Sequence, residues 1–163
     1  MIADLFEILG TERALAETHG RLLHEHGRAD PALYARGILL YGQAKAAFDG
    51  LIESAKHQVT RGKTVDDVPD MDLKVRAAVD RSADFNTFVR DQVLGDTVGT
   101  RFGLGDLLEP AKLFASLLEA VTGLLKERRE AGDVRRKETL TQLDGLKWRP
   151  FEALMKVGGA DRD

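Results

Sequence analysis

Leu107–Lys126 reads LLEPAKLFASLLEAVTGLLK, and this stretch decides the fold class. Leu107, Ala111, Phe114, Leu118, Val121 and Leu125 recur at steps of three and four, which draws an apolar stripe along a helix. Leu113, Leu117 and Leu124 draw a second stripe beside it. Only Glu109, Lys112, Ser116, Glu119, Gly123 and Lys126 remain for water. An arc this wide needs cover on more than one side. The helix is therefore central in a bundle or shared with a second chain. The second alternative makes Leu113, Leu117 and Leu124 candidate partner-binding residues and predicts a homodimer.

Upstream, the same periodicity continues. Ile2, Leu5, Phe6 and Leu9 mark a short first helical turn or two, with an interruption expected at Gly10-Thr11. A helix from about Glu12 to Glu25 then places Leu15, Thr18, Leu22 and His26 on one side, and Gly27 reads as its stop. Asp30-Pro31 is a start signal: Asp accepts from the orphan N–H groups, and Pro loses nothing at the first helical position. The helix it opens can run to Arg61 and is dense in small residues, among them Gly37, Gly42 and Gly50. Interior glycines cost ~1 kcal/mol each against Ala, so they suggest close approach by a neighbouring helix. A third helix is expected from about Asp70 to Leu94, with Met71, Val75, Ala78, Val79, Ser82, Phe85, Val89 and Val93 as its stripe. Gly95–Gly105 holds four glycines and reads as a loop, and Asp106 with Glu109 resembles a capping box for the Leu-rich helix.

Downstream, Lys126–Thr139 carries ten charged residues, and Val134 is its one large apolar side chain. A hairpin about Gly132-Asp133 is the preferred reading over a continuous polar helix, because Gly ends helices and Asp starts them. Leu140, Leu143 and Leu146 return to the core, followed by Trp148, Phe151, Leu154 and Met155 in a short final helix. No strand pattern occurs. The expected architecture is all-α: four main antiparallel helices with short extra turns at the termini. It forms a single helical-bundle domain over 1–156 with a flexible tail at 157–163.

Composition bounds the function classes. A chain of 163 residues with 43% hydrophobic and 31% charged residues is that of a globular protein with a real core. The net charge of −3 gives no global attraction to nucleic acid or anionic lipid. Zero cysteines exclude disulfides, thiolate metal sites and Cys nucleophiles, and fit a cytoplasmic location. MIADLFEIL lacks the basic region and apolar core of a signal peptide. No run approaches the ~20 apolar residues a bilayer span requires, so no membrane association is expected.

The chemical motifs are sparse. His19, His24 and His26 cluster, but neither Glu-x-x-His nor His-Glu-x-x-His occurs, so no metal and no cofactor are expected; surface histidines near a helix end account for them. Asp66, Asp67, Asp70 and Asp72 lack the Gly and terminal Glu of a calcium loop. Gly99, Gly103 and Gly105 precede a helix, as in phosphate loops, but the segment before them reads as helix rather than strand. Arg21-Leu22-Leu23-His24-Glu25-His26 has an Arg followed by four residues and then a His. That spacing resembles the HEPN ribonucleases, all-helical proteins that join Arg and His from two chains on one RNA phosphate. The resemblance covers six residues and implies metal-independent RNA cleavage with Arg21 and His26 as the catalytic pair. Leu22 departs from the polar residue usual after the family's Arg.

Arg128, Arg129, Arg135 and Arg136 form the one basic cluster, largely neutralised by neighbouring acids, and are candidate docking residues for an acidic protein partner. Nucleic acid is not the expected partner, since aromatics do not interleave with these charges. The expected function is thus a non-catalytic protein–protein interaction module: an adaptor, regulatory or assembly subunit. The HEPN-like ribonuclease and an apolar-ligand-binding helical bundle are the alternatives.

Overall fold

The structure, a computed structural model, describes residues 2–61, 70–95, 107–128 and 132–156. Helix covers 88% of them and no strand occurs among them. Six α-helices are present: α1 (Ile2–Gly27), α2 (Pro31–Arg61), α3 (Met71–Phe88), α4 (Pro110–Arg128), α5 (Asp133–Asp144) and α6 (Phe151–Leu154). A π-helical segment, Val89–Leu94, continues α3. The fold is all-α; among the described residues six α-helices stand where four main helices with terminal turns are expected.

α1 runs through Gly10-Thr11, where the sequence suggests a break. Gly10 weakens a helix by ~1 kcal/mol. Burying Leu5 and Leu9, each almost wholly inaccessible, returns ~1.5–3 kcal/mol apiece, so tertiary cover prevails over propensity. Continuity also resets the buried face. Leu5, Leu9, Glu12, Ala16, His19 and Leu23 point inward, while Leu15, Thr18 and Leu22 flank them and His26 is exposed.

The turn into α2 forms as its residues dictate. Asp30 Oδ1 accepts from the Leu33 amide at 3.2 Å, and Asp30 N–H donates to the Gly27 carbonyl at 3.2 Å. Of the α2 glycines, Gly37 marks the close approach: a Cβ there would lie 2.5 Å from a Leu23 methyl carbon, whereas Gly42 and Gly50 face open space.

α1 and α3 run in the same direction. Glu12 meets Ser82, His19 meets Arg90, and Gly27 lies near Val93. α3 reaches its expected end at Gly95, the one described residue with positive φ (77°). Its last turn is π-wound rather than α-helical.

α4 packs on α1, α2 and α3 of the same chain. Leu117 and Leu124 are fully buried and Leu113 is 7% exposed, while Phe114 and Leu118 form the half-buried flank. The wide apolar arc is therefore covered within one chain, as a central helix requires. α4 begins at Pro110, later than the expected Leu107. Asp106 of the expected capping box lies outside the described residues, as do residues 62–69, 96–106 and 129–131, Arg129 of the basic cluster among them, and the tail expected at 157–163.

α5 starts at Asp133 with Gly132 as its N-cap, so the helix does break inside the charged stretch. α5 packs on α2. The segment after it is bound tightly to α1 and α2. Trp148 stacks on Phe48 with centroids 5.0 Å apart, and its backbone N–H donates to Asp49 Oδ1 at 3.0 Å. Tyr41 O–H donates to the Arg149 carbonyl at 2.7 Å, and Arg149 pairs with buried Glu17 at 3.1 Å. α6 then rests on α1 at Gly20, where a Cβ would come within 2.6 Å of Leu154.

Candidate functional site

Three polar residues of α1 are buried, Glu12, Glu17 and His19; Glu17 pairs with Arg149, whereas Glu12 and His19 meet polar residues of α3 and its π-wound end. A spacing of four places Ser82, Asn86 and Arg90 one above another along that side of α3. Ser82 Oγ donates to Glu12 Oε1 at 3.1 Å and accepts from Asn86 Nδ2 at 3.2 Å. Glu12, Ser82 and Asn86 are all buried. Burial pushes the Glu12 carboxyl above the usual carboxylate range, and the Ser82 hydroxyl offsets only part of that rise.

One helical turn further along α3, Arg90 Nε donates to His19 Nε2 at 3.0 Å. His19 is wholly inaccessible, which corrects the expectation of surface histidines. Burial, and then the Arg90 charge, lower its pKa to about 4 against the opposing pull of the Leu15 carbonyl and Asn86. His24 is half-buried and shares a 2.8 Å hydrogen bond with Tyr34 O–H, and His26 is exposed beside Glu25.

The Glu12–Ser82–Asn86 group lines a cleft of about 220 Å³ between α1, α3 and the start of α4. Leu15, Val79, Ala83, Leu107, Pro110 and Leu113 supply most of the apolar wall, and Glu109 and Thr87 also line it. A broader depression of about 610 Å³ between α2 and α3 is more open and lined mainly by charged and polar side chains, including Arg36, Arg81, Asp84 and Asp91.

The residues singled out by sequence fall elsewhere. Arg21 and His26 share α1 at a separation of five, about 140° around the axis, and one chain does not aim both at one phosphate. Arg13, the other arginine of α1 that precedes a histidine closely, donates to the Gly145 and Lys147 carbonyls, and His19 is buried against Arg90. Leu113, Leu117 and Leu124 lie in the core. Arg135 is exposed and Arg136 half-buried on α5, and Arg129 lies outside the described residues. Asp70 and Asp72 are exposed; Asp66, Asp67 and the glycines of the expected phosphate-type loop lie outside the described residues. Among the described residues, no group of three or more His, Asp or Glu side chains is placed to hold a metal ion, and no helix is long and apolar enough to cross a membrane.

Sequence reasoning included Ser82 in the α3 stripe but missed Glu12 and Asn86 as site residues. The signal for Glu12 was present: it continues Leu5 and Leu9 at helical spacing once α1 is unbroken. No protein-family model, no curated protein and no solved structure matches the chain.

Proposed function

We propose that the chain is a non-catalytic binding protein whose cleft between α1, α3 and α4 takes a small molecule with an apolar body and a polar head. One observation carries this: a mainly apolar cleft converges on three buried, mutually hydrogen-bonded polar side chains, Glu12, Ser82 and Asn86. Apolar walls supply affinity and a few placed polar groups fix orientation, which is how small-molecule sites are usually made. This develops the ligand-binding alternative raised by the sequence. The experiment is ligand-observed NMR with a fragment set, repeated on Ala83→Trp, which places an indole on the cleft wall. Fragments that bind the wild type and lose binding to a folded Ala83→Trp support the site. Fragments indifferent to that substitution speak against it.

A second reading, docking of an acidic protein partner as an adaptor or assembly subunit, is favoured by the surface of α5. Val134 is 73% exposed there, next to Arg135, Arg136 and Lys137. An exposed apolar side chain on a helix that also carries arginines suits an interface, because the guanidinium fork holds a carboxylate with two hydrogen bonds. The quadruple change of Arg128, Arg129, Arg135 and Arg136 to Ser tests it: partner capture should weaken while the melting temperature holds within a few degrees, and added salt should weaken the wild-type complex likewise. Capture at wild-type strength would remove this reading. A homodimer belongs with it, and Leu39, Leu73 and Leu108 are exposed apolar side chains that remain to form one. A cytoplasmic setting is the accompanying proposal, consistent with a chain that has no cysteine.

A further inference from the structure

We infer that the ligand of the α1–α3–α4 cleft is a small organic cation: an ammonium group on an apolar body, seated with its charge against the Glu12 carboxylate. This rests on the cleft being a ligand site and adds the chemical class of what it binds.

Charge is the first argument. The ionisable residues lining the cleft, among those described, are two acids, Glu12 within and Glu109 at the start of α4. Neither a Lys nor an Arg is among these lining residues. Several basic residues of the surrounding segments have partners elsewhere or face water. Arg13 of α1 binds the segment after α5, Arg76 of α3 lies 4.2 Å over the Phe114 ring, Arg90 is bound to His19, and Lys112 of α4 is exposed. A carboxylate or phosphate ligand would meet unbalanced like charge in an apolar setting, where repulsion is strongest.

Hydrogen-bonding capacity is the second argument. Ser82 Oγ spends its proton on Glu12 and one lone pair on Asn86 Nδ2. Its second lone pair and the remaining lone pairs of an ionised Glu12 can only accept. Unused capacity that is mainly accepting calls for a donor-rich head, and an ammonium group has three donors and no acceptor.

Burial is the third argument, because it disfavours a charged Glu12 that has no cation beside it. A cation beside it restores the ionised form, so binding and ionisation of Glu12 support each other. A neutral alcohol gains nothing from that coupling. The cleft is also smaller than the ~300–1,000 Å³ of drug-sized pockets, so the apolar body is short.

Isothermal titration calorimetry with n-hexylammonium, n-hexanol and n-hexanoate tests the inference, because the three share one chain and differ in the head. At pH 7, hexylammonium should bind the wild type at least tenfold more tightly than the other two. Glu12→Gln keeps the shape and removes the charge; it should erase that preference and leave hexanol unchanged. If hexanol or hexanoate binds as tightly as hexylammonium, the cation assignment is wrong and the cleft reading survives. If none of the three binds at millimolar concentration, both are wrong. Should Glu12→Gln fail to fold, amide NMR shifts in the wild type decide instead. Changes at Ser82, Asn86 and Thr87 on adding hexylammonium support the site, and changes confined to other helices overturn it.

Discussion

Arg90 Nε donates a 3.0 Å hydrogen bond to His19 Nε2, and burial first, then the guanidinium charge, hold the imidazole in its neutral form. The contact joins the middle of α1 to the π-wound end of α3. Isolated π turns inside helices often occur at functional positions, and here the π segment carries the residue that reaches across.

Stability should therefore depend on His19 protonation. Its folded-state pKa, about 4, lies below the ordinary value of 6.5. The unfolded chain binds the proton more readily, so this contribution is fully present above pH 6.5 and is lost as pH falls toward 4. A pKa difference of one is worth about 1.4 kcal/mol, which makes the loss about 3 kcal/mol. Glu12 acts in the opposite sense: its raised pKa contributes most at low pH, and that contribution is lost as pH rises from 4.5 through the raised value. Urea denaturation of wild type and His19→Gln between pH 4 and pH 7.5 separates the two. The gap between the proteins should narrow as pH falls, because only the wild type can protonate the ring. A gap independent of pH would mean that His19 is not held neutral.

How far the sequence carried is clearest on α1. Helix type and the buried stripes of α3 and α4 were legible, since Val75, Val79, Phe85, Leu117 and Leu124 are large, apolar and periodic. The face of α1 was not, because Gly10-Thr11 imitates a boundary and the true stripe passes through Glu12 and His19. Polar identity argues for solvent until a partner is known, and those partners, Ser82 and Arg90, lie 70 and 71 residues away. The same holds for Asn86. Local pattern reports which residues share a helix face but not which faces meet, and the cleft exists only where α1, α3 and α4 meet.

Core packing predicts that Leu117 matters to the single chain. Leu117 is fully buried against the helices around α4. Leu117→Ala should lower unfolding stability by about 2–5 kcal/mol through lost transfer energy and a residual cavity. The dependence of Tm on protein concentration should match the wild type, because the side chain is covered internally. A variant of wild-type stability whose dimerisation is altered would show instead that Leu117 serves an interface.

The Arg21–His26 pair predicts no ribonuclease activity in a single chain. Single-stranded RNA incubated with purified protein and a chelator should remain intact on a denaturing gel, in wild type and in His26→Ala alike. Cleavage by the wild type that His26→Ala abolishes would establish the HEPN-like chemistry. Two copies would then have to meet along α1 to bring Arg and His together.

Two α2 glycines should respond to alanine with opposite signs. Helix propensity favours both changes by ~1 kcal/mol, since Ala loses less backbone freedom than Gly. At Gly42 nothing lies within 4 Å of the new Cβ, so Gly42→Ala should stabilise by up to about that amount. At Gly37 the Cβ would lie 2.5 and 2.7 Å from the two methyl carbons of Leu23. Leu23 is fully buried, so its methyl groups can give way only by displacing other core side chains. Overpacking of this kind costs about 1–3 kcal/mol, so Gly37→Ala should leave stability unchanged or reduce it by up to about 2 kcal/mol. Leu23→Ala removes the methyl groups in question, and adding it to Gly37→Ala should reveal the propensity gain as non-additivity in a double-mutant cycle. Thermal or urea denaturation of the four α2 and α1 variants reads this directly. Gly37→Ala stabilising as much as Gly42→Ala would show that α1 does not press on α2 at that point.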